Sequence, residues 1–206
     1  MYKTSPRPRL DGLDSAANPG ATIIADVKTS QVFFDEITRM GGKPMMWKTG
    51  HSFIKAKMKE TGAELAGEMS GHIFFKERWF GFDDGLYGAA RMLEIVSQFD
   101  EPSSVIFERL PDSVNTPELQ VNFEEGEHYK FMDTFIAQSD FEGADTVTID
   151  GIRVNYPNGW GLIRPSNTTP CLVLRFEAND EATLKDIQNT FREKMLAVNN
   201  GLELPF

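Results

Sequence analysis

Residues 22–47 read TIIADVKTSQVFFDEITRMGGKPMMW and contain a strand, a helix and a second strand in that order. The largely apolar run at 22–27, which Asp26 interrupts once, is typical of a buried strand. Apolar side chains then recur at near-helical spacing over 30–40, and two glycines end this predicted helix. The last four residues form the second strand. Strands that alternate with helices of this length favour an α/β domain with a parallel sheet.

The same alternation continues to residue 98. The elements expected here are helices at 51–60 and 83–98 and short strands at 64–67 and 73–75. Asp83 and Asp84 are interpreted as the start of the last helix, because carboxylates favour a helix N-terminus. Six apolar side chains of that helix are expected to face the core, namely Leu86, Ala89, Ala90, Leu93, Ile95 and Val96.

The second half of the chain has a different rhythm, which begins after Pro102 and Pro111. Apolar residues now alternate with period two, which predicts antiparallel strands at 118–123, 146–149, 152–156, 160–163 and 171–176. Asp150-Gly151 is typical of a tight hairpin turn. Two helices are expected, at 127–138 and 181–198. The sequence therefore predicts an α/β domain over 1–110 and an α+β domain, with helices on an antiparallel sheet, over 111–206.

Composition limits the kinds of partner. The 206 residues carry a formal net charge of −10, which argues against binding to a nucleic-acid backbone. No run of eighteen apolar residues is present, and the first twenty residues lack the apolar core of a secretory signal. The lone Cys171 suits a reducing compartment. We expect a cytoplasmic monomer that contacts neither nucleic acid nor membrane.

The loop Arg164-Pro165-Ser166-Asn167-Thr168-Thr169-Pro170 is a candidate anion site. The guanidinium of Arg164 matches two phosphate oxygens, and Ser166, Asn167 and Thr168 can donate to the others. The two prolines lower the cost of ordering the loop around a ligand. Taken alone, the same residues are also typical of a solvated turn.

A second polar cluster, Gly67-Glu68-Met69-Ser70-Gly71-His72, lies about a hundred residues earlier. Glu68 can accept hydrogen bonds from two neighbouring hydroxyls, and Ser70 can donate or accept. His72 can exchange a proton near neutral pH. Lys28 and His51 follow the first two strands as this cluster follows the third. Because the carboxyl ends of parallel strands bind ligands, we expect all three junctions to meet at one edge.

Other chemistries fit these residues less well. The two histidines and Glu68 match no helical metal motif, so zinc is disfavoured. A hydrolase triad is disfavoured because no acidic partner or nucleophile elbow surrounds Ser70 and His72. The aromatic run at 74–82 is interpreted as core packing together with one wall of a cleft or an interdomain contact.

Three stretches together resemble one family. WKTGHS at 47–52, GEMSGHIFFKERWFGFDDG at 67–85 and GWGLIRPSNTTPCLVLRFEA at 159–178 are similar to the C-terminal half of bacterial phosphomannomutase/phosphoglucomutases, of the α-D-phosphohexomutase family. The resemblance implies a three-layer α/β/α mixed-sheet domain III over 1–110. It implies a TATA-binding-protein-like antiparallel sheet, with helices on one face, as domain IV over 111–206.

The resemblance also implies roles for the candidate residues. Glu68 and Ser70 would bind sugar hydroxyls, and a phosphate would be held by Arg164, Ser166, Asn167 and Thr168. Lys28, His51 and His72 would line the same cleft, with the two histidines as candidates for proton exchange. The implied reaction moves a phosphoryl group between O6 and O1 of mannose or glucose phosphate, with magnesium in the complete enzyme.

Two family motifs have no counterpart in the 206 residues. One is the Ser-His-Asn-Pro-like segment that carries the phosphoserine, and the other is the Asp-Gly-Asp-Gly-Asp-Arg-like magnesium loop. We therefore expect a phosphohexose-binding half that binds no metal and is inactive alone. The alternative is a freestanding phosphosugar-binding or regulatory module. Residues 1–17 lack the periodicity of the helix that the family would have there.

Overall fold

The computed structural model describes residues 18 and 20–206, which divide into two compact units between Pro111 and Asp112. The prediction that residues 1–17 depart from a family helix lies outside the described residues. The first unit contains β1 (Thr22–Asp26), α1 (Gln31–Arg39), β2 (Lys43–Trp47), α2 (His51–Thr61), β3 (Leu65–Gly67), β4 (Ile73–Phe75), α3 (Gly85–Val96) and α4 (Ser103–Phe107).

The sheet of the first unit is mixed and has the order β2-β1-β3-β4. β1 pairs in parallel with both β2 and β3, as the helical crossovers predict, whereas β4 pairs antiparallel with β3. The alternation of strands and helices predicts the parallel pairs but not β4, and the antiparallel β4 confirms the mixed sheet that the family resemblance implies. Only residues 68–72 connect β3 to β4, and a connection this short permits a hairpin but no crossover helix.

Helices cover both faces of this sheet, which makes three layers. Ile24 packs with Ile54 and Met58 of α2 on one face. Its neighbour Ile23 points the other way and packs with Ile37 of α1. This alternation follows from the period of two along a strand. It produces the α/β/α arrangement that the sequence predicts.

The predicted inner face of α3 is wrong. Leu86 and Leu93 are 88% and 70% exposed, both alanines are exposed, and Ile95 is the buried member of the predicted set. The inward stripe instead carries Tyr87, Arg91 and Ile95, spaced four residues apart. Arg91 can lie inside because its Nη1 pairs with Glu77 Oε2 at 2.7 Å and its guanidinium stacks on the Phe75 ring. An apolar-only pattern overlooks an arginine that is neutralised in this way.

The second unit is an antiparallel sheet with two helices. It contains β5 (Val114–Asn115), β6 (Leu119–Asn122), α5 (Glu127–Gln138), β7 (Asp145–Val147), β8 (Ile152–Tyr156), β9 (Gly159–Pro165), β10 (Cys171–Ala178) and α6 (Glu181–Val198). The strand order is β5-β10-β9-β8-β7, and β6 also pairs with β10. The predicted strands and both helices are present. β5 and α4 were not predicted, because two and five residues are too few to establish a periodicity.

The core of the second unit lies between its sheet and its helices. The predicted stripe of α6 is buried and consists of Leu184, Ile187, Phe191 and Met195. Gly161 on β9 faces this stripe, and a Cβ there would lie 2.5 Å from the Phe191 ring. Side chains of β9 alternate, so Arg164 points away from the helices. The face of the sheet that the helices cover is thus packed. Arg164 lies on the opposite face, and Ser166, Asn167 and Thr168 follow the end of β9.

Candidate functional site

One buried carboxylate ties together the loops that follow β1, β2 and β3. Asp26, at the end of β1, is fully buried. Its Oδ1 accepts hydrogen bonds from Thr29 Oγ1 at 2.7 Å and from the Met69 backbone N–H at 3.1 Å. Its Oδ2 accepts from Thr49 Oγ1 at 3.0 Å. Charge-assisted hydrogen bonds of this kind are about twice as strong as neutral ones, so Asp26 fixes the edge on which the candidates lie.

The candidate residues of the first unit meet at this edge. The ring centroids of His51 and His72 are 6.2 Å apart. Lys28 is 6% exposed, and its charge reaches the Glu68 carboxyl. Ser70 is exposed on the turn of the Glu68 loop, which Gly71 closes with a φ of 96°. The structure therefore brings all five candidates of this unit to one loop cluster.

Glu68 is the most unusual group of the cluster. Its side chain is 9% exposed, and its Oε1 has no hydrogen-bond partner among the described residues. Burial raises the pKa of Glu68 above its ordinary value of 4.5, and the charge of Asp26 raises it further. His72, the Gly50 N–H and Lys28 lower the pKa and only partly offset these effects. A buried carboxylate oxygen without a donor is costly, so it is well suited to accept a hydroxyl from a ligand.

A pH titration of stability tests this description of Glu68. Because the folded state raises the pKa, it holds the proton more tightly than the unfolded state does. Stability contributed by the protonated carboxyl is therefore present at low pH, and it is lost as pH rises from about 4.5 through the raised folded pKa. We expect Glu68→Gln to lack this decline. The melting temperature of the variant should therefore rise relative to that of the wild type as the pH increases through this range. Exposed Glu60→Gln is the control, and parallel curves for wild type and Glu68→Gln would contradict the description.

His72 has an acidic partner that the sequence did not reveal. Its Nδ1 lies 2.7 Å from Asp83 Oδ2, although eleven residues separate the two. The expectation that no carboxylate lies beside His72 is therefore wrong. Asp84 is the N-cap of α3 and accepts from the Tyr87 backbone N–H, whereas Asp83 precedes the helix and pairs with the Phe74 backbone. The sequence spacing does not show which of the two adjacent aspartates contacts His72 and which caps α3. That difference arises only because the folded chain brings Asp83 back past β4.

The second unit holds Arg164 in place through one nitrogen. Arg164 is 4% exposed, and its Nε donates to Asp150 Oδ2 at 2.9 Å. Asp150 reaches this position because Gly151, with a φ of 72°, packs its turn directly on the Arg164 backbone. The Asp150-Gly151 turn was predicted as a hairpin, and its carboxylate was not recognised as a partner for Arg164. A carboxylate on Nε leaves the fork of terminal nitrogens to meet another anion.

Ser166 organises the loop that follows Arg164. Its Oγ accepts from the backbone N–H groups of Thr168 and Thr169, each at 3.3 Å. Its carbonyl accepts from His128 Nε2 at 3.3 Å and from Tyr129 Oη at 3.2 Å. Sequence analysis missed these two residues at the start of α5, because they lie almost forty positions away. Ser166 is thus buried within the loop.

Asn167 and Thr168 differ from Ser166 in their exposure. Both are exposed beyond the strand end. The loop therefore offers the side chains of Asn167 and Thr168 outward, while Ser166 holds the shape of the loop.

No group of three or more metal-ligating His, Cys, Asp or Glu side chains occurs among the described residues. No helix within the described residues is long and apolar enough to cross a membrane.

Comparisons with known proteins identify relatives of both units. The family model described as phosphoglucomutase/phosphomannomutase, alpha/beta/alpha domain III, matches residues 11–114, and the one described as its C-terminal domain matches residues 116–194. The phosphomannomutase/phosphoglucomutase of Pseudomonas aeruginosa is 52% identical over 189 residues, which are 92% of this chain and 41% of that protein. The phosphoglucomutase of Neisseria gonorrhoeae is 55% identical over 177 residues, which are 85% of this chain and 38% of that protein.

A solved structure agrees with these relatives. A phosphoglucomutase/phosphomannomutase family protein from Burkholderia thailandensis superposes with a TM-score of 0.86 at 53% identity. The match covers 93% of this chain and 41% of that one. A phosphomannomutase-like structure from Thermus thermophilus, 17% identical with a TM-score of 0.60, shares the fold. The chain spans about 41% of the length of the Pseudomonas and Burkholderia relatives.

Proposed function

Because this chain belongs to the phosphoglucomutase/phosphomannomutase family and comprises its domain III and C-terminal domain, we propose that it is the phosphohexose-binding half of such a mutase. Members of this family are isomerases that transfer a phosphoryl group within the substrate. The proposed reaction moves that group between O6 and O1 of mannose or glucose phosphate. The observation that carries the proposal is the buried Glu68 carboxylate, whose Oε1 has no partner among the described residues.

The first unit has the groups that a sugar requires. In the proposed complex Glu68 Oε1 accepts a ring hydroxyl, and Ser70 contacts a neighbouring one. Lys28 supplies positive charge close to Glu68, which suits an anionic sugar. His51 and His72 lie at the same edge and are the groups proposed to exchange a proton with a substrate hydroxyl.

The second unit has the groups that a phosphate requires. Arg164 is buried and fixed by Asp150, so its fork is ordered before a ligand arrives. Preorganisation reduces the entropy that binding has to overcome. Asn167 and Thr168 supply further donors from an exposed loop. We therefore assign Arg164, Ser166, Asn167 and Thr168 to the phosphate that is not being transferred, with Ser166 also holding the loop.

Catalysis would require groups from a further segment. Phosphoryl transfer depends on positioning and on neutralising the developing charge. In the proposal, the phosphoserine and the magnesium loop are contributed by family domains that this sequence does not contain. Leu86 and Leu93, seven residues apart on one side of α3, are both exposed, and this uncovered apolar side of the helix supports such a partner. The lone Cys171 suits a cytoplasmic enzyme, and we propose that the complete enzyme is a monomer.

A complementation assay tests the proposed function. We expect the purified chain to show no mutase turnover with magnesium and a bisphosphorylated sugar. Adding the complementary N-terminal half of a relative should restore turnover, because that half supplies the phosphoryl donor and the magnesium loop. Coupled conversion of mannose 1-phosphate or glucose 1-phosphate measures the effect. The control is the N-terminal half alone, and turnover by the pure chain would overturn the claim of inactivity.

A freestanding binding module is the second candidate. Each polar cluster is organised within its own unit, by Asp26 in one and by Ser166 in the other. The shape of each cluster therefore does not depend on another chain. This candidate predicts phosphohexose binding in the millimolar range, about −4 kcal/mol, with no turnover after the N-terminal half is added. Restored turnover favours the mutase, and binding without turnover favours the module.

A further inference from the structure

We infer that Asp83 is a positioning residue that fixes the tautomer of His72, so that Nε2 of this histidine is the nitrogen available to a substrate hydroxyl. The evidence begins with the 2.7 Å contact between His72 Nδ1 and Asp83 Oδ2. An ionised carboxylate can only accept hydrogen bonds. Nδ1 must therefore carry the proton of the neutral imidazole, and Nε2 keeps its lone pair.

The backbone holds both members of this pair independently. His72 directly precedes β4, and its carbonyl accepts from the Glu68 backbone N–H at 2.9 Å. Asp83 forms a bridge with Phe74 in the same strand, and the N-cap of α3 at Asp84 comes next. The pair is thus set by the strand and by the start of a helix rather than by two free side chains. An ordinary surface ion pair lacks such restraint and contributes little.

The surroundings select His72 over His51 for this role. Among the described residues, the titratable side chains recorded beside His72 include Asp83, the neighbouring His51 and Glu68, whose pKa responds to the charge of His72. Asp83 bonds to His72 and not to His51. The His72 side chain is 47% exposed, so Nε2 can be reached by a ligand while Nδ1 is occupied.

This arrangement has a consequence for proton exchange. When a hydroxyl gives its proton to Nε2, the oxygen keeps the electron pair and the ring becomes an imidazolium. The positive charge then lies beside the Asp83 carboxylate, which stabilises it. Returning the proton to an oxygen restores the neutral Nδ1–H tautomer. The role in turnover rests on the proposed mutase function, whereas the tautomer does not.

The tautomer can be measured directly, because the chain contains three histidines. In a long-range ¹H–¹⁵N spectrum of the neutral rings, a protonated nitrogen resonates well apart from an unprotonated one. We expect His72 of the wild type to carry its proton on Nδ1. In Asp83→Asn the amide NH₂ can donate to Nδ1, so the proton should move to Nε2.

Asp84→Asn is the matched control. It removes a charge one position away, preserves the helix cap because Asn caps well, and should leave the His72 tautomer unchanged. His51 and His128 serve as internal references in every spectrum. A wild-type His72 with its proton on Nε2 overturns the inference without any variant, even if Asp83→Asn fails to fold. A folded Asp83→Asn protein with an unchanged tautomer overturns it as well.

The complemented assay adds the functional readout. We expect Asp83→Asn to lower kcat by about 10²-fold, the scale of general acid–base catalysis, with a smaller change in KM. An unchanged kcat overturns the positioning role. If complementation restores no activity in the wild type, the proposed mutase function fails while the ligand-free tautomer measurement still decides whether Asp83 sets the state of His72.

Discussion

Replacing Arg164 with alanine is expected to remove most of the affinity for phosphohexose and for inorganic phosphate. The guanidinium is buried, and Asp150 engages its Nε, so its terminal nitrogens form a preorganised fork. Losing two charge-assisted hydrogen bonds should cost about 3 kcal/mol, which is roughly 100-fold in affinity. From a starting affinity in the millimolar range, binding would fall below detection by NMR titration.

Two further variants separate binding from folding. Arg164→Ala leaves the Asp150 carboxylate, 9% exposed, without this partner, so the second unit should also lose stability. Arg164→Lys keeps the charge but not the planar fork, and it should retain weak binding. Arg192→Ala, on α6 at the helical side of the sheet, should bind like wild type. Wild-type affinity in a folded Arg164→Ala protein would contradict the assignment.

The same titration tests the proposed division of labour between the two units. Glu68→Gln should reduce the preference for a phosphohexose over simple phosphate, because Glu68 is assigned to hydroxyls and Arg164 to charge. Phosphate should perturb the signals of residues 164–168 more strongly than those of 67–72. Equal perturbation of both loops by phosphate would show that the division is wrong.

Replacing Asp26 with alanine is expected to destabilise the first unit by about 3 kcal/mol or more. The substitution removes the shared acceptor of three hydrogen bonds, which Thr29, Thr49 and the Met69 N–H donate. A loss of this size is a large share of the roughly 5–15 kcal/mol typical of a folded domain. Denaturant unfolding followed through NMR signals of the first unit measures the change.

The local effect should be as informative as the global one. Amide hydrogen exchange at Met69 should accelerate most in Asp26→Ala, since its N–H loses a buried acceptor. Asp26→Asn retains one acceptor oxygen and should lose less stability. Asp35→Ala, which removes an exposed carboxylate from α1, should change the free energy of unfolding by less than about 0.5 kcal/mol. Equal effects of Asp26→Ala and Asp35→Ala would contradict the role of Asp26 as the anchor of three loops.

The sequence alone determined the order and type of most elements. Short apolar runs predicted β1 and β2, and near-helical spacing over longer stretches predicted α1 and both helices of the second unit. The buried stripe of α6 followed from the same reasoning, because no charged residue lies within it. The candidate residues Glu68 and Arg164 could be selected by chemistry, since both belong to polar segments of the sequence beside predicted strands, although the structure places Arg164 within β9.

Tertiary structure decided the partners of those residues. Asp83 reaches His72 only after the chain has returned along β4, and Asp150 reaches Arg164 across a hairpin. The same is true of α3, where a buried ion pair with Glu77 draws Arg91 inward and leaves Leu86 in solvent. Periodicity describes which side of an element is apolar. It does not describe which charges neutralise one another across elements, because that pairing depends on distances that exist only in the folded chain.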